Sequence, residues 1–114
     1  DLTDQVETLA GDLSHGQQQR LEIGMATTLE PTLMLLDEPV AGMSVEETAG
    51  VADLIRSLND DGMAFVVIEH DMGFVREISE QVTVLNQGGI FRQGTIEEIE
   101  ADEAVKQIYL GEAA

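Results

Sequence analysis

The chain has 114 residues, enough for one small domain and too few for two. Hydrophobic residues make up 43% and charged residues 25%, which excludes wholesale disorder and a coiled-coil architecture. The 23 acidic and five basic residues give a net charge of −18, which disfavours direct binding to nucleic acid or to anionic lipid. The absence of cysteine excludes a disulfide framework and thiolate metal sites.

The acidic residues are spread through amphipathic segments and do not form one tail. This distribution predicts a whole-surface adaptation to molar salt, where screening removes most of the self-repulsion. The alternative is a solvated acidic face with no special role. No apolar run approaches the length of a membrane span, and no signal-peptide pattern is present. Because the chain begins with Asp1, we expect a piece of a longer protein or a processed product.

The first half of the chain predicts a helix and then a strand. Residues 1–12 carry a weak helical pattern that breaks at Gly11-Asp12. Ser14 and Gln17 then form a capping-box pattern, which opens a helix that ends before Pro31. Its apolar positions on one face are Leu21, Gly24, Met25 and Leu29. The continuous apolar run 33–36 predicts a strand buried on both faces of a parallel sheet.

The same alternation continues through the rest of the chain. Ser44 and Glu47 form a second capping-box pattern, which opens a helix over about 45–59, and residues 64–68 form a second β-rich run. On that helix, Val45, Ala52, Ile55 and Leu58 lie near one face. This order predicts half of a doubly wound α/β sheet with a right-handed crossover. The remaining predicted elements are a helix over about 72–79, a β-hairpin, a helix opened by the Thr95–Glu98 capping box, and a last helix ending near Gly111.

Polar residues follow both predicted strands: Asp37-Glu38 after the first and Glu69-His70-Asp71 after the second. Ligands of open α/β sheets bind beyond the carboxyl ends of the strands, so neighbouring strands would bring both groups to one crevice. So many acids at one edge favour a cation, and a hydrated Mg²⁺ is the natural occupant. A second carboxylate could orient or deprotonate an attacking water. The alternative is a set of ordinary loop acids in an acid-rich protein.

The predicted helix start at Ser14 is a separate candidate site for an anion. A helix N-terminus offers free N–H groups and a positive dipole end, and Gly16 lets a phosphate approach the backbone. The alternative is a purely structural cap, which the residues alone favour. His15 and His70 are far apart in sequence and give only a weak signal for a metal site.

Three motifs together resemble the ATP-binding cassette (ABC) ATPase. Residues 13–17 resemble its signature motif, residues 33–39 its Walker B strand, and His70 its switch histidine, in matching order and spacing. The resemblance implies an α/β fold, the C-terminal part of a P-loop NTPase, with parallel strands, helices and a C-terminal β-hairpin. It implies a single partial ABC ATPase domain over residues 1–114, with a signature helix 13–28, a Walker B strand 33–38, a switch-histidine strand 64–70, a hairpin 82–93 and C-terminal helices 95–110.

The resemblance also implies roles for individual residues. Asp37 would hold Mg²⁺ through water, Glu38 would be the general base for the hydrolytic water, and His70 would contact the γ-phosphate. The signature motif would bind the γ-phosphate of ATP held by the opposite subunit, through Leu13, Ser14, His15, Gly16 and Gln17. The implied cofactors are ATP and Mg²⁺. The implied partners are a second ABC ATPase subunit and membrane permease subunits, not nucleic acid, at the cytoplasmic face of the cell membrane.

Details within the motifs indicate a branch of this family. His15 stands where most members carry glycine, and Ser44 stands where many carry aspartate, which puts the usual aspartate-based contact between subunits in doubt. Residues 21–25, 69–75 and 108–111 resemble the branched-chain amino acid and urea transporter ATPases, and the motif at 13–17 is most like the urea type. We therefore expect an importer for urea or short amides. The alternatives are a branched-chain amino acid importer, a non-transport ABC ATPase and a non-catalytic dimerisation module.

The phosphate-loop pattern G-x-x-x-x-G-K-[ST] does not occur in this sequence, and Lys106 is the only lysine. The chain therefore resembles the C-terminal half of such an ATPase. Without the groups that grip the β- and γ-phosphates, we expect little or no ATP turnover by this chain alone.

Overall fold

A computed structural model describes residues 2–109 of the chain. The chain divides into two compact units, Asp1–Phe74 and Val75–Ala114, which are described separately. Position 110 of the predicted C-terminal helices, the predicted helix stop near Gly111 and the Leu110-Gly111 ending lie outside the described residues. Over residues 2–109, no helix combines the length and the apolar character that crossing a bilayer requires.

The first unit contains the predicted order of helix, strand, helix and strand. Two 3₁₀ turns, Thr3–Gln5 and Ala10–Asp12, take the place of the weak helical pattern. The regular elements that follow are helix α1 (His15–Thr27), strand β1 (Leu33–Asp37), helix α2 (Val45–Asp60) and strand β2 (Ala64–Ile68). The two strands pair in parallel, from Leu33 opposite Ala64 to Asp37 opposite Ile68. This confirms the α/β fold class and sets the carboxyl ends of β1 and β2 side by side.

One face of this strand pair is exposed, so the prediction that β1 is buried on both faces is wrong. Met34 is 6% exposed, whereas Leu35 is 70% exposed. The other exposed apolar side chains on the two strands are Leu33, Val66 and Ile68. Side chains alternate between the faces of a strand, and within residues 2–74 no element covers this face. A continuous apolar run therefore becomes a half-exposed strand.

The buried faces of the two helices also differ from the predicted stripes. On α1 the buried residues are Gly16 and Ile23, while the predicted positions Met25 and Leu29 are exposed. On α2 the predicted positions Ala52 and Ile55 are buried together with Val51, which confirms part of that stripe, whereas Val45 is exposed. The exposed predicted residues Val45 and Leu29 lie at the start of α2 and beyond the end of α1, respectively.

The second unit is a β-hairpin followed by two short helices. Helix α3 (Met72–Ile78) contains the boundary between the units. It is followed by strands β3 (Val82–Asn86) and β4 (Gly89–Gly94), which pair antiparallel, and by helices α4 (Ile96–Ala101) and α5 (Glu103–Tyr109). Gln87 and Gly88 have φ angles of 50° and 80°, the left-handed conformation of a tight hairpin turn. A small core forms from Val84, Ile99 and Val105, with Val82 and Phe91 packed against it.

Side-chain caps fix the last two helices. Thr95 and Glu98 form the complete capping box that the sequence predicts. At the start of α5, Asp102 Oδ1 accepts hydrogen bonds from the backbone N–H groups of Ala104 (2.9 Å) and Val105 (3.1 Å), and Oδ2 accepts from Arg92 Nε at 2.8 Å. The Val105 hydrogen bond, and next the Arg92 one, lower the pKa of Asp102 below its ordinary value of 3.8. Asp102 thus ties β4 to α5.

Candidate functional site

The parallel pairing of β1 and β2 brings the two predicted groups of polar residues to one edge of the sheet. We call this set the strand-end cluster; its members are Asp37, Glu38, Glu69, His70 and Asp71. The backbone N–H of Glu38 donates to the carbonyl oxygen of Ile68 at 2.8 Å, which extends the strand ladder into the cluster. The expectation that the two strands are neighbours is therefore confirmed, and both polar groups lie at one edge of the sheet.

Glu38 and His70 form a pair within the cluster. Nδ1 of His70 lies 3.2 Å from Oε1 of Glu38, and their side chains are 71% and 51% exposed, respectively. Both carboxylate contacts of the His70 ring are made at Nδ1, not at Nε2. Glu38 has a φ angle of 47°. This left-handed conformation costs a non-glycine residue about 1 kcal/mol or more and is held only when neighbouring contacts fix it.

Two acids of the cluster have backbone partners within the protein, so the cation expected from the sequence is not needed to balance them. Asp71 Oδ1 accepts from the backbone N–H of Phe74 at 3.1 Å, inside the first turn of α3. The side chain of Glu69 is only 2% exposed, and it accepts from the backbone N–H groups of His70 (3.0 Å) and Val40 (3.5 Å). Asp37, Glu38 and Asp71 are exposed, and of these only Asp71 accepts a backbone hydrogen bond within the described residues.

Asp37 is the candidate ligand that the sequence predicts for a hydrated magnesium ion. It lies exposed at the carboxyl end of β1. Within the described part of the chain, no three or more histidine or carboxylate side chains are grouped so that they could hold a metal. Mg²⁺ retains several waters and commonly takes one or two carboxylates together with substrate phosphates. The residues therefore fit an ion that arrives with a phosphate ligand, and they do not form a cage of their own.

The N-terminus of α1 has the complete capping box that the sequence predicts. Ser14 Oγ accepts from the Gln17 backbone N–H at 3.2 Å, and Gln17 Oε1 accepts from the Ser14 backbone N–H at 2.9 Å. Leu13, just before the cap, is 9% exposed and anchors the segment. The backbone N–H groups of His15 and Gly16 donate to no acceptor within residues 2–109. They are the donors that this helix start could offer to an anion.

Helices α1 and α2 approach each other closely at two glycines. A Cβ on Gly16 would lie 3.0 Å from both Cβ and Cγ of Glu47, and a Cβ on Gly50 would lie 3.3 Å from Nη2 of Arg20. The glycine at position 16 is thus explained by helix packing, and its approach to a phosphate stays a prediction. Ser44 Oγ accepts from the Glu47 backbone N–H at 3.1 Å, but the Glu47 side chain lies against Gly16. The second capping box is therefore only half formed.

Sequence patterns do not reveal the contacts of Glu69 and Arg20. The position of Glu69 directly after an apolar strand marks it as a candidate site residue, but its burial cannot be read from the pattern. No pattern in the sequence singles out Arg20. In the structure its guanidinium lies against Gly50, and its Nε is buried without an acceptor within residues 2–109. Only the packing of α1 on α2 reveals this contact.

Comparison with known proteins gives consistent matches. A sequence profile of the ABC transporter family matches residues 1–41. The chain is 41% identical over 113 residues to the high-affinity branched-chain amino acid transport ATP-binding protein BraF of Pseudomonas aeruginosa, covering 98% of this chain and 44% of that protein. It is 39% identical, with the same coverage, to LivG of Escherichia coli, which bears the same description. The chain thus spans less than half the length of these curated relatives and corresponds to their C-terminal part.

A solved structure matches in three dimensions as well. MJ1267, an ATP-binding cassette of an ABC transporter, superposes with a TM-score of 0.84 at 30% identity, over 91% of this chain and 43% of that one. Together with the parallel strand pair and its carboxylate edge, this likeness defines the class: an α/β ATP-binding cassette domain. The chain belongs to the ABC transporter ATP-binding family.

Proposed function

We propose that this chain supplies the water-positioning and partner-facing part of the ATP site in the ATP-binding subunit of an ABC importer. The observation that carries the proposal is the 3.2 Å contact between Glu38 and His70 at the carboxyl edge of β1 and β2. The contact brings together two residues that the family resemblance assigns to one reaction. Membership of an ATP-binding family also supports the proposal.

Each residue of the exposed edge has a role in this proposal. Bound Mg²⁺ would neutralise phosphate charge, with Asp37 as its ligand through water. Glu38 accepts a hydrogen bond from a water and directs its oxygen at the γ-phosphorus of ATP. As that oxygen–phosphorus bond forms and the bond to the ADP oxygen breaks, the water gives up its proton towards Glu38. His70, held at Nδ1 by Glu38, has Nε2 free to contact a γ-phosphate oxygen.

The capped start of α1 would serve a second nucleotide. Ser14, His15 and Gly16 present a hydroxyl and two backbone N–H groups at a helix N-terminus, flanked by Leu13 and Gln17. In our proposal these groups bind the γ-phosphate of ATP held by an opposite subunit, so that two subunits pair head to tail. The pair would dock on membrane permease subunits at the cytoplasmic face of the membrane.

We propose branched-chain amino acids as the transported solutes. The relatives in Pseudomonas aeruginosa and Escherichia coli are described as branched-chain amino acid transport proteins and match 98% of this chain. The expectation of urea or short amides rested on His15 in the signature segment, and the comparisons do not support it. Uptake of labelled leucine and of labelled urea by cells that carry the complete transporter distinguishes the two solutes.

The direct test of the catalytic role is the substitution Glu38→Gln in a complete ATP-binding cassette that contains this chain. Loss of the carboxylate should lower the rate of ATP hydrolysis by about a hundredfold or more, the usual contribution of a general base. ATP binding should persist, because the amide keeps the shape of the side chain. Glu80→Gln, at an exposed acid outside the cluster, is the matched control. Unchanged hydrolysis in the Glu38 variant would rule the proposal out.

A further inference from the structure

Glu69 is a buried carboxylate that links the two loops of the strand-end cluster. Its side chain is 2% exposed, next to a His70 side chain that is 71% exposed. Oε1 accepts from the His70 backbone N–H at 3.0 Å and lies 3.7 Å from His70 Nδ1. Oε2 accepts from the Val40 backbone N–H at 3.5 Å. The Glu69 side chain thus binds the backbone of both loops. In the first loop it binds Val40, two residues after Glu38, and in the second loop it binds His70.

The hydrogen bond from Val40 to Glu69 holds a backbone segment whose conformation is unfavourable without such contacts. Glu38 adopts a left-handed conformation between strand β1 and the turn at Val40. Its own N–H is held by Ile68 at 2.8 Å, and the turn that follows is anchored by Val40, which is 4% exposed. The Val40 N–H has no acceptor other than Glu69 within residues 2–109. Glu69 therefore fixes the Val40 N–H, in addition to the turn's own hydrogen bonds from the Ala41 N–H to the Glu38 carbonyl (3.2 Å) and from the Met43 N–H to the Val40 carbonyl (3.2 Å).

The chemistry of the link requires a carboxylate of this length. A carboxylate accepts on both oxygens, whereas the amide of glutamine accepts on one and would point an NH₂ group at the other N–H. Aspartate keeps the charge but is one methylene shorter, so it cannot reach both loops. A buried carboxylate is costly unless hydrogen bonds compensate it, which makes an incidental acid at this position unfavourable.

We infer that Glu69 is a positioning residue that sets the geometry of the Glu38–His70 pair, and so the direction from which the hydrolytic water approaches. This inference rests on the proposed function for its catalytic consequence. Glu69 would act through Val40 and His70 and would not touch the nucleotide. Its loss should therefore slow the hydrolytic step without weakening ATP binding.

The structural part is tested by amide hydrogen exchange in the 114-residue chain, comparing the wild type, Glu69→Gln and the control Glu80→Gln. In the wild type, the Val40 amide should be protected. In Glu69→Gln, the Val40 or the His70 amide should exchange about tenfold faster or more, because a hydrogen bond to a charged group is lost. Protection elsewhere should not change. An unprotected Val40 amide in the wild type would overturn the inference even if the variant failed to fold.

The catalytic part is tested in a complete cassette. Glu69→Gln and Glu69→Asp should both lower kcat for ATP hydrolysis by about tenfold or more, with KM for ATP unchanged, since both variants break one of the two links. Full activity in Glu69→Asp with a loss in Glu69→Gln would show that charge, not reach, matters, and would contradict a positioning role. Normal hydrolysis in both Glu69 variants, with Glu38→Gln inactive, would contradict the positioning role of Glu69 and not the proposed function. Normal hydrolysis in Glu38→Gln would contradict the proposed function and would not affect the hydrogen-exchange result.

Discussion

The acidic side chains of this chain differ in role according to the N–H donors around them. Asp71 and Asp102 lie at helix starts and accept backbone hydrogen bonds, and Glu69 bridges two loops from a buried position. Glu38 is exposed and lies against an imidazole. Asp71, Asp102 and Glu69 stabilise the backbone, whereas the Glu38 carboxylate is accessible to water. Residue type alone does not separate these roles; local donors do.

Asp102 contributes to the pH dependence of the stability of the second unit. Its pKa is lowered in the folded chain from 3.8, so its stabilising effect is fully present above the ordinary pKa and is lost as the pH falls through the lowered one. Asp102→Asn keeps an acceptor for the α5 cap but points an NH₂ group at Arg92, so it should be less stable than the wild type at pH 7. Urea unfolding from about pH 7 to about pH 2 should show this difference shrinking in acid. A difference of the same size at both ends would contradict the assignment.

Among the helices and strands, local signals were readable from the sequence and long-range contacts were not. The capping boxes at Ser14 and Thr95 form within four residues and were predicted correctly. The parallel pairing of β1 with β2 followed from two apolar runs that flank a helix. The exposure of Leu35 and the burial of Glu69 depend on which element lies opposite, and no periodicity within one segment encodes that. The same holds for Glu47, which leaves its own cap to lie against Gly16.

The contact between α1 and α2 yields a pair of opposite predictions for two glycines of one helix. Gly16→Ala should destabilise the chain by about 1–3 kcal/mol, because the new Cβ would lie 3.0 Å from the Glu47 Cβ, which is fixed to the α2 backbone. Gly24→Ala meets no atom within 4 Å and should stabilise the chain by about 0.5–1 kcal/mol through helix propensity. Chemical denaturation of both variants measures this. Equal effects of the two substitutions would show that helix packing does not select glycine at position 16.

Taken whole, the molecule combines a strongly acidic surface with incomplete coverage of its parallel strands. The net charge is −18, and Leu35, Val66 and Ile68 are exposed on one sheet face. Self-repulsion of that charge opposes folding, and it also opposes association through the apolar face. Added salt weakens the repulsion and leaves hydrophobic burial in place.

The charge therefore predicts a salt requirement. The free energy of unfolding should rise between about 0.1 M and about 2 M KCl, because the Debye length falls well below the spacing of surface charges. Circular dichroism during urea unfolding at both salt concentrations measures the change. A parallel series in sucrose separates charge screening from general exclusion effects. A flat or falling free energy of unfolding in KCl would show that the acids are an ordinary solvated surface with no adaptive role.

We propose that this chain carries the water-positioning edge and the capped helix of an ABC ATP site, and that the groups that bind the β- and γ-phosphates belong to the rest of the cassette. The measurement that tests it most directly is Mg-ATP titration by calorimetry, on the folded 114-residue chain and on a complete cassette that includes it. We expect no saturable heat for the chain and micromolar binding, on the order of 10 μM, for the complete cassette. Micromolar binding by the chain alone would contradict it and would move the primary phosphate site to the helix start at Ser14.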